Sequence, residues 1–559
     1  MRSISRIFIF SLLFVISAAD DSCIADIEKP PYVHPRVMMG GKVTDLSEDS
    51  KEYNLSPVYS CTKDLIGMMP QFTTEQSFKV LEHAKSGWDN GKGQWSQLSL
   101  SERIAAVEKF IVELQKKRTD IVKMLMYEIG KNYNDACSEF DRTIIFIQES
   151  IAFIRTSSDF ETGFRNVSGS KVFIRRNSFG IVLALGPYNY PLNETYATII
   201  PALLMGNVVI LKIPAVGGLS HLLTFEAFSN AFPPNTVHFI SGSGRSTLPP
   251  LMESGHVNGL AFIGGASAAD KLIKQHPEPH RLKLFLQLEA KNMAIILPDM
   301  FKGASNEPYP LSKALDEIIS GSLSFNGQRC TALKLVFAPK GSGTIVADEL
   351  AKRVERFNKG MPWQVHEDGK YSNITPLPNN GRIEYMRELI ADALDKGGTM
   401  ANSDGGTLIC PDHDDDCTQI MVPAIIYNVN SGMKIFTEEQ FGPIVPIVEY
   451  DSLEDVLSYG LQGKYGQQVS IFTNEATSEA ALLVDTFSSI FGKMNINSQC
   501  GRSPDSVPFT ARRSSGLGVM SIEDALKEFS IPTVVSYKHD NSASLIDAIA
   551  SQSSFMKGL

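Results

Sequence analysis

The chain has 559 residues, of which 43% are hydrophobic and 20% are charged. These proportions are typical of a folded globular protein with more than one domain, and they exclude a disordered or repetitive chain. The formal net charge is −10 and no long run of Lys or Arg occurs, which argues against nucleic acid as a partner.

The first residues have the pattern of a secretory signal peptide. The positively charged Arg2 and Arg6 precede an apolar run over 7–16, and small residues at 17–19 offer a cleavage site. The run is shorter than a membrane span requires, so we expect no membrane span once residues 1–19 are removed. The leader predicts entry into the secretory pathway, with an organelle as a possible destination and the cytoplasm as the alternative location.

Cysteine usage bears on the same question. The seven cysteines are scattered and odd in number, unlike a disulfide framework. Cys410 and Cys417 flank an acidic loop, and we expect two unpaired surface thiols there, with a disulfide between them as the alternative. Asn193 begins one Asn-x-Ser/Thr sequon, at a position where a glycan would block folding. This buried sequon favours a reducing compartment, whereas the leader predicts entry into the secretory pathway.

The elements are predicted as follows in chain order. Residues 20–59 contain Pro and Gly throughout and predict an extended arm. Residues 99–131 predict one long helix, because Ser99 and Glu102 have the spacing of a capping box and apolar residues then recur at helical spacing. These apolar residues are Ile104, Val107, Ile111 and Leu114.

After residue 179, short β-rich runs alternate with helical stretches, which predicts an α/β fold with a mostly parallel sheet. A second series of runs predicts a second α/β domain, and residues 531–537 predict a last strand. The runs of the first series are 180–185, 207–213, 236–240, 260–263 and 294–297, and those of the second are 333–338, 444–450 and 469–473.

Cys330 is the candidate nucleophile. Residues 325–331 read Phe-Asn-Gly-Gln-Arg-Cys-Thr, between a helical pattern and a strand pattern. Arg329 places a guanidinium beside the thiol, and we expect this cation to favour the nucleophilic thiolate. A buried, unreactive cysteine is the alternative.

Other polar groups stand at predicted strand ends, where α/β proteins bind ligands. Asn189 offers a neutral donor for an oxyanion, and Lys212 could meet a nucleotide. The turn Gly264-Gly265 could present backbone amides to a pyrophosphate. Glu439 lies in a loop before a strand and could hold ribose hydroxyls. Each of these taken alone is equally well explained as a turn or a solvated surface residue.

In combination and in this order, these segments resemble the aldehyde dehydrogenase superfamily, especially its NADP-dependent non-phosphorylating glyceraldehyde-3-phosphate dehydrogenases. The resemblance implies the aldehyde dehydrogenase fold: a doubly wound nucleotide-binding domain over 60–289 with an oligomerisation hairpin over 170–185 inserted in it. A catalytic domain over 290–515 and a C-terminal oligomerisation segment over 516–559 follow. It also implies a homodimer or homotetramer.

The resemblance assigns the catalytic roles by position. Cys330 would attack the aldehyde and form a thioester, with the oxyanion held by the Asn189 side chain and the Cys330 backbone amide. Arg142, Tyr190, Arg329 and Arg502 match the residues that bind the phosphate of a small phosphorylated aldehyde, a task that suits guanidiniums. No metal is implied.

The resemblance also assigns the cofactor contacts. Lys212 would contact the adenosine ribose or its 2′-phosphate, Gly264 and Gly265 the pyrophosphate, and Glu439 the nicotinamide ribose. Ala215 stands where NAD-preferring members carry Glu. The missing negative charge favours NADP, with NAD possible.

The pattern departs from the family at the general base. Gln287 stands in place of a Glu, and an amide cannot take a proton from water at neutral pH. Glu289 lies two residues on and would share a face with Gln287 in an extended segment. Three alternatives follow: Glu289 is a relocated base; the enzyme deacylates slowly or passes its acyl group to another nucleophile; or the protein is catalytically silent and keeps only a phosphate-binding pocket. The favoured function is oxidation of glyceraldehyde 3-phosphate to 3-phosphoglycerate without inorganic phosphate, and another small aldehyde is the alternative substrate.

Overall fold

The computed structural model describes most of the chain. The leader predicted over 1–19 lies outside the described part. Among the described residues, no helix has the length and apolar character that a membrane crossing requires. The described residues are 27–157, 160, 163–302, 309–378, 381–410, 420–538 and 542–557.

The N-terminal region predicted as an extended arm contains short paired strands. Arg36–Met39 pairs with Lys42–Asp45, and Asn54–Tyr59 pairs with Leu65–Gln71, both antiparallel. The described part of this region is therefore folded onto itself instead of extended.

The single helix predicted over 99–131 is two helices, Leu100–Gln115 and Arg118–Ile129. The capping box of Ser99 and Glu102 is present. The chain turns after Gln115, and Arg118 then pairs with Asp141 of the following helix at 2.8 Å. The prediction of one helix was wrong because no Gly or Pro marks the break.

Twelve other helices of seven or more residues lie in the described part of the chain. They are Thr74–Trp88, Tyr133–Thr156, Asn193–Leu204, Phe225–Ala231, Ala266–Gln275, Leu311–Leu323, Gly343–Glu355, Arg382–Asp395, Leu453–Gln462, Ser478–Phe487, Ile522–Glu528 and Ala543–Gln552.

The first sheet has six strands, parallel except for the two-residue edge strand Gly516–Leu517. Strand order reverses between the neighbouring central strands Val257–Ile263 and Ile181–Leu185, and the crevice at the carboxyl ends of such strands is where doubly wound sheets bind ligands. In spatial order the strands are Gly516–Leu517, Lys283–Gln287, Val257–Ile263, Ile181–Leu185, Val208–Lys212 and Val237–Ile240.

The second sheet has seven strands, parallel except at the edge strand Thr399–Met400. Its central strands are almost wholly buried, as expected when both faces of a parallel sheet are covered. The run predicted over 294–297 as the last strand of the first series belongs here. The order is Thr399–Met400, Ala424–Tyr427, Ile444–Tyr450, Leu333–Pro339, Asn292–Ile296, Gln468–Phe472 and Lys493–Ile496.

A third, antiparallel sheet joins the C-terminal strand to the middle of the chain. Ile531–Tyr537 pairs along its whole length with Ser170–Asn177, which pairs in turn with Arg165–Val167. Residues 170–185, predicted as one hairpin, therefore divide between two sheets, since Ile181–Leu185 lies in the first sheet. The domain boundaries themselves stay a prediction.

Cys410 differs from expectation. Its sulfur is disulfide-bonded, so the expected unpaired thiol at this position was wrong; Cys417 lies outside the described residues. Cys61, Cys137, Cys330 and Cys500 are free.

Candidate active site

A cleft of about 1390 Å³ is lined by loops that follow the strands of the first sheet and, on the other side, mainly by segments that precede strands of the second sheet. Residues predicted from widely separated segments meet here because the first sheet presents the carboxyl ends of its parallel strands to the cleft and the second sheet presents the amino ends of its strands. Eleven of the twelve predicted site residues line it: Arg142, Asn189, Tyr190, Gly264, Gly265, Gln287, Glu289, Arg329, Cys330, Glu439 and Arg502.

Lys212 is the predicted site residue that does not line the cleft. It ends the strand Val208–Lys212 and is only 8% exposed. Its Nζ donates a hydrogen bond to the Ile213 carbonyl at 2.6 Å. Burial lowers the pKa of Lys212 to about 8. Its neighbours Pro214 and Ala215 do reach the cleft wall.

The loop that carries Asn189 is held by a fully buried ion pair between Lys131 and Glu139. Lys131 Nζ also donates to the Asn189 carbonyl at 2.9 Å and lies 3.5 Å from the centre of the Tyr190 ring. Glu139 Oε1 accepts from the backbone N–H of Leu192 at 2.9 Å. The pair therefore fixes both ends of the loop.

The carbonyl of Cys330 is fixed from the side opposite the cleft. It accepts hydrogen bonds from Asn292 Nδ2 at 2.8 Å and from Lys334 Nζ at 3.0 Å. Lys334 also forms an ion pair with Glu439 at 2.7 Å. Glu439 Oε1 accepts from the backbone N–H of Ala290 as well, at 3.1 Å. The nucleophile, the loop of Glu439 and the segment after Gln287 are therefore joined in one network.

The Arg329 guanidinium lowers the pKa of the Cys330 thiol, as the sequence predicted, but other groups outweigh it. Burial, and then the carboxylate of Glu194, raise the pKa of Cys330 from its ordinary 9.0 to about 11. Desolvation of a charged sulfur therefore outweighs the two nearby cations, Lys334 and Arg329.

Asn189 stands close to the nucleophile loop. Its side chain is 6% exposed, and its Nδ2 donates to the Gln328 carbonyl at 2.7 Å. An amide nitrogen carries two hydrogens, so a second donor is left for an oxyanion at Cys330. The arrangement suits the role that the sequence predicted for Asn189.

Gln287 is 4% exposed and lines the cleft. Neither its Oε1 nor its Nε2 has a hydrogen-bond partner among the described residues. Buried amides without partners are uncommon and point to a bound water or ligand group. The amide can hold a water molecule in place, but it cannot take its proton.

The side chain of Glu289 lies beside the N-terminus of the helix Ala266–Gln275, to which Glu289 itself does not belong. Its Oε2 accepts weakly from the Ala266 backbone N–H at 3.5 Å, and no side chain caps that helix. The carboxylate therefore sits beside the glycine turn that was predicted to face a pyrophosphate.

Two of the three predicted substrate arginines share one carboxylate. Asp505 accepts from Arg142 Nη2 through both oxygens, at 3.1 and 3.2 Å, and lies 3.3 Å from Arg502 Nε. Arg502 Nη1 is paired with Glu194 at 2.9 Å. Two guanidiniums and two carboxylates thus form a cluster without net charge.

Donors without partners remain in this cluster and beside it. Arg502 Nη2 and Arg329 Nε are both buried and have no hydrogen-bond partner among the described residues. Arg329 Nη2 donates to the Gly321 carbonyl at 3.1 Å. Two unsatisfied guanidinium N–H groups beside a nucleophilic cysteine favour an anionic or strongly accepting ligand.

Sequence reasoning missed several residues that shape this site. Glu194 directly follows Asn193, the first residue of the predicted sequon, and Lys334 follows Cys330 by four positions, but the sequence analysis gave neither residue a role. Lys131, Glu139 and Asn292 had no local signal, because each acts through partners distant in sequence.

The buried Lys131–Glu139 pair gives a first prediction. Replacing Lys131 by Met leaves the Glu139 carboxylate buried without its cation, so we expect the free energy of unfolding to fall by about 3–5 kcal/mol, as measured by urea denaturation. Lys116→Met, which breaks a surface pair with Glu113, is the matched control and should change little. A loss no larger than that of the control would contradict the role of the pair.

The raised pKa of Cys330 gives a second prediction. At pH 8, the ionised fraction of a thiol with a pKa of about 11 is about one-hundredth of the ionised fraction of an ordinary thiol. Alkylation of Cys330 by iodoacetamide in the cofactor-free protein should therefore keep rising with pH up to pH 10, followed by mass spectrometry with Cys330→Ser as the blank. An alkylation rate that levels off below pH 9 would show that the thiol ionises below pH 9, which would contradict the raised pKa.

The chain is similar in sequence to proteins of a known enzyme family. The family model described as "Aldehyde dehydrogenase family" matches residues 47–535. The NADP-dependent glyceraldehyde-3-phosphate dehydrogenase of Streptococcus equinus is 30% identical over 473 residues, which cover 83% of this chain and 92% of the relative. A lactaldehyde dehydrogenase of Methanococcus aeolicus is 24% identical, over 84% of this chain and 95% of the relative.

The fold is shared with solved structures. The NADP-dependent glyceraldehyde-3-phosphate dehydrogenase of Bacillus halodurans, solved with NADP, superposes with a TM-score of 0.77 at 25% identity, covering 90% of this chain and 99% of that one. The Escherichia coli lactaldehyde dehydrogenase reaches the same TM-score at 22% identity, covering 91% and 100%. With a family match across most of its length, the chain belongs to the aldehyde dehydrogenase family and is an NAD(P)-dependent aldehyde dehydrogenase.

Proposed function

We propose that the protein oxidises glyceraldehyde 3-phosphate to 3-phosphoglycerate through a thioester on Cys330, with NADP and without inorganic phosphate. The observation that carries this proposal is the pair of unpartnered guanidinium donors, on Arg502 and Arg329, in the same cleft as the nucleophile. The phosphorylated substrate is also the one named for the relative that is 30% identical.

The residues of the cleft fit a nicotinamide dinucleotide. The turn Gly264-Gly265 precedes a helix whose N-cap residue, Gly265, offers no capping side chain, and whose first N–H, that of Ala266, donates only a long hydrogen bond of 3.5 Å to Glu289. A Cβ at Gly265 would approach only Glu289, at 3.5 Å. The backbone amides after Gly265 would hold the pyrophosphate. Ala215 brings no negative charge to this wall of the cleft, which favours NADP while leaving NAD acceptable. When bound, the cofactor accepts the hydride of the oxidation.

The first half of the reaction follows from the loop geometry. The Cys330 sulfur attacks the aldehyde carbon, and the oxyanion is held by the second hydrogen of Asn189 Nδ2 and by the Cys330 backbone N–H. Fixed donors stabilise this charge without reorganising, because the Lys131–Glu139 pair and the bond to Gln328 hold Asn189 in place. Oxidation then leaves the acyl group on Cys330 as a thioester.

The second half needs a base to activate water, and here a second candidate function arises. Gln287 occupies the base position, and the Glu289 carboxylate is directed to the Ala266 N–H. A dehydrogenase that acylates normally but releases its acid slowly, or passes the acyl group to another nucleophile, is favoured by these two observations. Glu289 serves as the relocated base only if it leaves the helix terminus.

We also propose a homodimer or homotetramer that assembles through the antiparallel sheet of the C-terminal strand, supported by the exposed side chains of Ile531 and Val534 on that strand. The compartment stays a prediction. The disulfide of Cys410 supports the oxidising route that the leader predicts, whereas Asn193 is 3% exposed and supports a protein that folds without a glycan at that site.

Rapid mixing with glyceraldehyde 3-phosphate and NADP separates the two halves of the reaction. If Glu289 is the base, wild type turns over steadily and Glu289→Gln gives one burst of NADPH and then stops. If deacylation is impaired, wild type itself gives only the burst, and Gln287→Glu restores steady turnover. Absence of any NADPH from this aldehyde in wild type and in Gln287→Glu would refute the proposed function.

Replacement of Arg502 by Leu tests the phosphate contact. Loss of charge-assisted hydrogen bonds should raise the KM for glyceraldehyde 3-phosphate about 10- to 100-fold and change the KM for unphosphorylated glyceraldehyde little. Arg281→Leu, which removes an exposed guanidinium paired with Glu278, is the control for lost charge. Equal effects of Arg502→Leu on both aldehydes would favour another small aldehyde as the substrate.

A further inference from the structure

Glu194 is a carboxylate that lines the cleft beside the nucleophile. It belongs to the first turn of the helix Asn193–Leu204, and its side chain is 15% exposed. It forms an ion pair at 2.9 Å with Arg502, the guanidinium that the proposed function assigns to substrate binding.

Two of the three guanidinium nitrogens of Arg502 lie close to protein oxygens. Nη1 is paired with Glu194 at 2.9 Å and lies 3.3 Å from Asn193 Oδ1. Nε lies 3.3 Å from Asp505. Only Nη2 is without a partner among the described residues.

A guanidinium binds phosphate most strongly through two parallel N–H donors. On Arg502, each such pair combines Nη2 with one donor that already faces a carboxylate: Nη1 with Glu194, or Nε with Asp505. A two-point contact with an anionic substrate therefore requires one carboxylate to give way.

The two carboxylates are not held equally. Asp505 contacts Arg142 through both oxygens as well as Arg502, and its side chain is 10% exposed. Glu194 has a single ion pair, through one oxygen, and is the more exposed of the two. Glu194 is therefore the carboxylate that an incoming anion displaces, and Asp505 the one that keeps the two guanidiniums in place.

Resting on the proposed function, we infer that Glu194 is a specificity-determining residue: its carboxylate occupies the Arg502 donor that an anionic substrate needs and competes with the substrate's anionic group. The cluster of Arg142, Arg502, Asp505 and Glu194 has no net charge. The electrostatic attraction of a phosphate dianion to it is therefore weaker than the attraction to guanidiniums without carboxylate partners. Uncharged aldehydes do not meet this competition.

Glu194→Gln tests the inference, because the amide keeps the size of the side chain and removes its charge. The first readout needs no turnover: isothermal titration of glycerol 3-phosphate, a non-reacting alcohol analogue, against the cofactor-free protein. We expect the variant to bind it about tenfold more tightly than wild type, since a like charge is removed from the site. Glu253→Gln, an exposed carboxylate outside the cleft, controls for the change in net charge.

The second readout is steady-state kinetics with two aldehydes. The KM for glyceraldehyde 3-phosphate should fall about tenfold in Glu194→Gln, while the KM for glyceraldehyde stays within about twofold of wild type. Glu194→Leu, with folding checked by circular dichroism, serves as a second variant and should show the same direction of change.

The two proposals fail separately. Tighter binding of glycerol 3-phosphate by Glu194→Gln, with no NADPH from glyceraldehyde 3-phosphate in any protein, supports the role of Glu194 and refutes the proposed substrate. Unchanged or weaker binding in both position-194 variants overturns the role of Glu194, whatever the turnover. A KM that changes equally for both aldehydes also overturns it.

Discussion

The geometry of the active-site cleft depends on one buried ion pair. Lys131 and Glu139 are fully buried, and isolated charges in such surroundings would be strongly unfavourable. Each is satisfied by the other and by the backbone of the loop over 189–193, at the Asn189 carbonyl and the Leu192 N–H. Because the charges cannot be left unpaired, the loop has one stable position. The oxyanion donor and the aromatic ring of Tyr190 are presented to the nucleophile from that position.

Charge compensation is the second constraint on the cleft. The acidic chain places cations around Cys330, but most of them are matched by carboxylates: Lys334 by Glu439, and Arg502 by Glu194 and Asp505. Such matching limits the cost of burying the guanidiniums. It also leaves only a few donors for a ligand, so recognition of an anion depends on which internal carboxylate can be displaced and not on the number of arginines.

Local patterns predicted much of the fold. The strands expected over 444–450 and 531–537 have those bounds in the structure, because a strand of a buried parallel sheet is a largely apolar run and a β-rich run likewise marks the last strand. The break between Gln115 and Arg118 was missed, since no Gly or Pro marks it in the sequence. For Cys330 the sequence predicted the direction of the Arg329 effect, but it did not predict burial and a carboxylate from another segment, which raise the pKa more.

The sequence by itself determined the α/β alternation, the family and the set of residues at the strand ends, because apolar periodicity and short motifs are local properties of the chain. The tertiary structure alone decided what those residues do to each other. It placed Lys212 away from the cleft surface, directed Glu289 to a helix terminus, and paired Arg502 with Glu194. Electrostatic effects depend on distance and burial in space, and neither can be read from positions along the chain.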